Sequence, residues 1–168
     1  MAELTPEEKL QPSLLDRLTD DAPEKRRESR DKRVLSLDRL REGVLRDLGC
    51  LLNSSQLGAN EDLEEFPLAA HSVINYGMPD LAGIPSSGID SVMLERMLRQ
   101  VIVDFEPRIM RDSVKVRILQ DEDAMSHNAL TFEIEGELWA EPSSLHLLVK
   151  SEVDLESGDV TIEGYDAY

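Results

Sequence analysis

Four glutamates are the first residues whose type could break a bond: Glu106, and the series Glu133, Glu135 and Glu137. Hydrolysis by a carboxylate pair needs one acid desolvated enough to keep its proton near neutrality while the other stays ionised. Glu133, Glu135 and Glu137 alternate with apolar residues, so they share one face of a strand. Lys115 and Arg117 alternate in the same way on a second apolar stretch. Opposite charges on neighbouring strands predict a solvated cross-strand ladder, and none of these acids stands apart as desolvated. The three histidines, His71, His127 and His146, are dispersed, with no pair at the spacing that puts two imidazoles on one metal. His71 lies in an apolar stretch and is expected in the core or at its boundary. The single cysteine, Cys50, excludes an internal disulfide or a thiolate cluster. Its place in an apolar helical pattern predicts a buried, inert thiol. No phosphate-binding loop, dinucleotide fingerprint or nucleophile elbow occurs. No catalytic residue, metal or cofactor is assigned.

Two short segments offer contacts instead of chemistry. In Phe105-Glu106-Pro107-Arg108, proline fixes the backbone at a junction, so that a carboxylate and a guanidinium project from a rigid corner. A planar guanidinium can make two parallel bonds to a carboxylate or to backbone carbonyls. The corner is either a helix terminator with solvent-facing charges or a preformed polar plug for a partner's helix ends or loops. In Ser13-Leu14-Leu15-Asp16-Arg17-Leu18 the serine is placed to cap, and Leu14, Leu15 and Leu18 form a small apolar face. That turn either docks on its own domain or anchors in a partner's groove.

The elements that must carry these segments are legible as an α+β domain with two main helices followed by a small antiparallel sheet. Leu37, Leu40, Val44, Leu48 and Leu51 recur at three- and four-residue steps, which predicts a helix from Ser36 to about Leu52, stopped by Asn53-Ser54-Ser55. Leu68 to Ile74 predicts a short helix. It ends in a structural turn formed by Asn75, Tyr76, Gly77 and Pro79, with Gly77 suited to a left-handed conformation. Pro79, Gly83, Pro85 and Gly88 predict a turn-rich crossing. A second helix begins at Asp90-Ser91, carries Val92, Leu94, Met97, Leu98, Val101, Ile102 and Phe105 on one broad face, and is bounded by Pro107. Period-two runs at Val114–Ile118, Leu130–Ile134, Leu145–Leu155 and Val160–Ile162 predict four strands with short links, their apolar face covered by the helices.

Charge divides the 168 residues unevenly. The net charge of -17 argues against nucleic acid or anionic lipid as a direct partner. Glu24 to Arg33 holds six basic and three acidic residues, whereas Asp121 to Tyr168 holds thirteen acids and one base, Lys150. Residues 1–33, interrupted by Pro6, Pro12 and Pro23, read as a charged extension containing the 13–18 segment, and residues 34–168 as a single domain. The start lacks a basic-then-apolar leader and no apolar run reaches membrane-spanning length, so a cytoplasmic protein is expected.

Several segments, taken in order, resemble one family. They are Ser13 to Leu18, Arg46-Asp47-Leu48 with Leu51-Leu52-Asn53, Ser72-Val73-Ile74-Asn75-Tyr76-Gly77-Met78-Pro79-Asp80-Leu81, and Phe105-Glu106-Pro107-Arg108. They are similar to the TssE family, the type VI secretion baseplate subunits related to the wedge subunit at the sheath base of contractile phage tails. The resemblance spans about residues 13–163 and implies a structural α+β subunit with no enzymatic activity, despite the family's "lysozyme-like" label. It implies a link between the wedge proteins TssF, TssG and TssK and the TssB/TssC sheath, nucleation of sheath assembly, and docking at the inner membrane through those partners. It places the assembly contact on Glu106, Pro107 and Arg108, favouring the plug reading, with Leu14, Leu15 and Leu18 as a second grip. It also implies strand pairing at a sheet edge, without saying which strand. A peptidoglycan hydrolase acting locally on the cell wall is the alternative.

Overall fold

The computed structural model describes residues 13–19, 24, 36–59, 61–79, 81, 90–119, 129–140 and 144–165. All of the basic stretch except Glu24, the crossing at 82–89, Asp80, His127 and residues 166–168 lie outside the described residues.

Helix α1 is Leu14–Leu18, and α2 is Leu37–Leu52. Ser36 caps α2 by accepting from the Arg39 N–H at 3.2 Å. Leu40, Val44, Leu48 and Leu51 are buried along α2, as the stripe predicts, and Leu52 is buried beside them, although Leu37 at its start is exposed. Cys50 is exposed, contrary to the expectation of a buried thiol. It sits two residues beyond Leu48, roughly 200° around the axis, and so faces away from the stripe.

The expected helix from Leu68 to Ile74 is broken in two. Helix α3 covers only Pro67–Ala70, and a 3-10 turn covers Val73–Asn75. Ser72 divides them, donating from Oγ to the Ala69 carbonyl at 2.9 Å and accepting from the Ile74 N–H at 3.3 Å. Such local side-chain bonding competes with a continuous helix. Gly77 has φ +130°, and a Cβ there would collide with the Ser54 carbonyl. The close approach lets the Met78 N–H reach the Ser54 carbonyl at 2.6 Å and the Gln56 N–H reach the Met78 carbonyl at 3.1 Å. The turn before Pro79 is thereby strapped to the segment that leaves α2. Tyr76 sets its ring edge against Phe105, with centroids 5.4 Å apart.

Helix α4, Ser91–Phe105, is capped by Asp90 and buries Leu94, Leu98, Val101 and Ile102. Val92 was expected on the same face but is exposed. Strands β1 (Lys115–Leu119), β2 (Ala129–Leu138), β3 (Leu145–Asp154) and β4 (Val160–Tyr165) form one antiparallel sheet in the order β1-β2-β3-β4. The register aligns Ile118, Phe132, Ser151 and Ile162 in one row across the sheet, and the next row on that face aligns Val116, Ile134 and Val149. This is the buried face, with α4 against β1 and α2 against β4. On the other face Arg117, Glu133, Lys150 and Glu163 alternate in sign. Beside that row, Lys115 lies 3.1 Å and His146 3.6 Å from Glu135. The expected charge ladder is therefore present. Asn53 joins the end of α2 to β4: its amide nitrogen donates to the Val160 carbonyl at 2.9 Å and its oxygen accepts from the Val160 N–H at 2.8 Å.

Ser151 is buried between apolar neighbours, and among the described residues its hydroxyl has no hydrogen-bond partner. A buried unpaired polar group carries its desolvation cost uncompensated. Ser151→Ala is expected to raise stability by about 1 kcal/mol in a urea melt, and a lower midpoint would contradict this.

Candidate functional site

Pro107 cannot continue α4, and Glu106 ends it, donating its N–H to the Ile102 carbonyl at 2.8 Å. The chain then turns against the end of β2. The Met110 N–H bonds the Glu137 carbonyl and the Trp139 N–H bonds the Arg108 carbonyl, each at 2.8 Å. Gly136 makes room for this. A Cβ at Gly136 would sit 2.7 Å from Ile109 Cγ2, so a side chain there would unseat buried Ile109.

Within the corner, Arg108 clasps Glu106 bidentately. Nε donates to Oε1 at 2.7 Å and Nη2 to Oε2 at 2.5 Å, while the Arg108 backbone N–H adds a bond of 3.1 Å to Oε1. Glu106 is 3 % exposed. The same Nη2 donates to Asp47 Oδ2 on α2 at 2.6 Å. Asp47 Oδ1 accepts from Arg46 Nε at 2.8 Å, and Arg46 Nη1 reaches Asp16 Oδ1 on α1 at 2.5 Å. The other Asp16 oxygen closes a capping box, accepting from the Ser13 hydroxyl at 2.7 Å and the Ser13 N–H at 3.2 Å. Charges thus alternate from the end of α4 through α2 to α1. Gly43 lies beside the network: a Cβ there would stand 3.6 Å from both Arg108 Nη1 and Asp16 Oδ2.

Burial disfavours the charged form of Arg108, but Glu106 and Asp47 outweigh it and raise its pKa. For Asp16, burial pushes the carboxyl up; the bonds from Ser13 and Arg46 outweigh that and hold it below its ordinary 3.8. Arg46 is raised, chiefly by Asp16 and then by Asp47. On the open sheet face the Lys115 ammonium holds Glu135 below the usual range. A general acid for glycoside hydrolysis needs the opposite shift. Glu106 is enclosed by its own arginine.

The expected projection of Glu106 and Arg108 from the corner is corrected. Both turn inward because a buried carboxylate needs a charged partner, and Pro107 is the member left exposed, next to half-exposed Trp139. Helix α1 does meet its own domain, but through Asp16. Leu14, Leu15 and Leu18 remain 70, 54 and 75 % exposed. His71 is exposed as well, with Nδ1 2.7 Å from Asp104 Oδ2, and is not a core or boundary histidine. Sequence reasoning gave no site role to Asp16, Arg46 or Asp47. Asp47 had a signal: it is three residues after Val44 and four before Leu51, at the rim of the buried stripe, where an acid needs a partner.

Removing Arg108 alone leaves Glu106 buried and uncompensated. Arg108→Ala is expected to cost about 3–5 kcal/mol in a denaturant melt, while Glu106→Leu with Arg108→Met restores most of it. A double variant no better than the single would refute the pair's role. Asp16→Asn should change global stability by less than about 1 kcal/mol yet remove the hydrogen-exchange protection of α1. Because the folded pKa of Asp16 is depressed, its tether is complete above 3.8 and is lost as pH falls through the lower folded value. Protection of α1 should therefore hold from neutrality down to the ordinary carboxylate range and vanish beneath it.

Comparison with curated proteins and with solved structures returns no match. Comparison with family models matches the family described as baseplate wedge protein gp25 over residues 38–143. The matched stretch holds Asp47, Glu106, Arg108 and Gly136, and it stops short of α1. An α+β subunit whose two main helices are locked together by this inward-facing corner is thus a member of the baseplate wedge protein gp25 family, to which TssE belongs.

Proposed function

We propose that this baseplate protein is the TssE-type subunit of a type VI secretion system. In this reading it joins the TssF/TssG/TssK wedge to the TssB/TssC sheath, provides the surface on which the sheath begins to assemble, and carries out no chemistry of its own. It works on the cytoplasmic side of the inner membrane and reaches the membrane through its partners. No helix among the described residues is long and apolar enough to cross a membrane.

The observation that carries the proposal is α1: a five-residue helix held, among the described residues, by the Arg46–Asp16 ion pair, with its three leucines facing outward. Burying one leucine stabilises a complex by about 1.5–3 kcal/mol, so exposed leucines on a tethered turn form a grip for TssF and TssG. Glu106, Pro107 and Arg108 form the second contact. Exposed Pro107 meets the partner, and the Glu106–Arg108 pair fixes its position. The edges of the sheet add a third. Along β1, the Ile118 N–H bonds Glu95 and the Val114 carbonyl accepts from Arg99, so α4 side chains occupy that border. On β4, Asn53 covers Val160, and among the described residues nothing covers the outer groups of Ile162. We assign β4 as the edge offered to the sheath.

Leu14→Asp with Leu18→Asp should leave the melting temperature unchanged, since both side chains are exposed. Recovery of co-expressed TssF and TssG in a pull-down should fall by at least about tenfold. Undiminished recovery would remove α1 from the interface. Release of soluble muropeptides from peptidoglycan by the purified chain would overturn the non-enzymatic reading.

A further inference from the structure

Between Asp47 and Glu95 the sequence contains no Lys or Arg. The middle of that stretch forms a lobe with two unlike parts. Phe66, Leu68, Val73 and Ile74 are 59, 89, 82 and 66 % exposed. Immediately before them, Glu61, Asp62, Glu64 and Glu65 are also exposed. Single exposed apolar side chains are ordinary, whereas several on one short segment mark an interaction surface.

The lobe is held in shape by its own bonds. The Phe66 N–H bonds the Leu63 carbonyl at 2.9 Å, and Asn75 spans the lobe, donating to the Ala70 carbonyl at 2.9 Å and accepting from the Gly58 N–H at 2.8 Å. His71 ties it to Asp104 on α4. A surface already ordered in the free protein avoids the entropy loss that weakens association.

We propose that this lobe docks a basic amphipathic helix of another protein, with that helix's apolar stripe on Phe66, Leu68, Val73 and Ile74 and its Lys/Arg flank against the four acids. Charge selects the occupant. An anionic membrane is repelled by the acids, and two copies of the lobe face to face repel each other. The basic stretch of a second copy, Glu24 to Arg33, contains no apolar residue and leaves the apolar half of the lobe unfilled. α3 and the 3-10 turn bond their own backbones and present no ladder for a strand to extend, so the partner contributes side chains from a helix. This docking site stands whether or not the machine is a type VI system.

The test replaces Leu68, in the full chain in its native cells, with the photo-crosslinking residue p-benzoylphenylalanine and identifies the adducts by mass spectrometry. The expected adduct lies in a segment with apolar residues at three- and four-residue steps, flanked by Lys or Arg. Glu64→Lys with Glu65→Lys should lower its yield by about tenfold, and the exposed control pair Glu152→Lys with Glu156→Lys should leave it unchanged. Adducts confined to lipid, to a second copy or to a segment lacking basic residues would overturn the proposal. So would the absence of any adduct, or equal sensitivity to both charge-reversal pairs. A basic amphipathic partner from outside any baseplate would sustain this proposal while removing the function proposed above.

Discussion

The fold depends on how one carboxylate is neutralised. Glu106 is buried where α4 ends, and ionised it is tolerable there only because the Arg108 guanidinium binds both its oxygens. The same guanidinium nitrogen holds Asp47, so a single planar group links the two long helices to the segment at Arg108–Met110 that bonds the end of β2. The exposure of these charges grows along the chain of contacts, from Glu106 through Arg108 and Asp47 to Arg46. Water screens the more exposed members most, although Asp16 at the far end is again partly buried. The inner end is part of the core. The outer end, Arg46 on Asp16, tethers α1 lightly.

That gradient suits a subunit whose work is to be held by others. On the open sheet face charges of opposite sign stand on neighbouring strands, with Glu135 bonded to Lys115. Exposed apolar side chains cluster at α1, at the Pro107 and Trp139 corner and in the lobe at Phe66 to Ile74, with others such as Leu37, Val92 and Met93 along the two long helices. Each cluster is placed by polar bonds to the body of the domain: Asp16 for α1, the Arg108–Trp139 backbone pair for the corner, and Asn75 and His71 for the lobe. Membership in the baseplate wedge family gives these surfaces a common setting, an assembly with other baseplate proteins.

Periodic elements were legible in the sequence because burial follows period. The stripe of α2, the face of α4 and the four strands all follow from where apolar residues recur, with errors at Cys50, off the stripe, and at Leu37 and Val92, which lie at the starts of their helices. The direction in which Glu106 and Arg108 point was not legible. Spacing identifies a corner, but whether its charges face water or protein depends on Asp47, sixty-one residues from Arg108. The same limit applies to Leu68–Ile74, where composition permits a helix and one Ser72 hydroxyl bonding locally divides it. Asp16 was hidden for a further reason: its role is shared between a local cap and a contact thirty residues away.

Asn53 carries a mechanical corollary. It closes the end of α2 and at the same time grips both backbone groups of Val160, the first residue of β4. Peeling β4 away from that end would have to undo a helix terminus along with two strand bonds, whereas the Tyr165 end is held by β3 alone among the described residues. Separation that starts at Tyr165 therefore meets only the β3 pairing among the described residues, whereas separation that starts at Val160 must also break the Asn53 contacts that close α2.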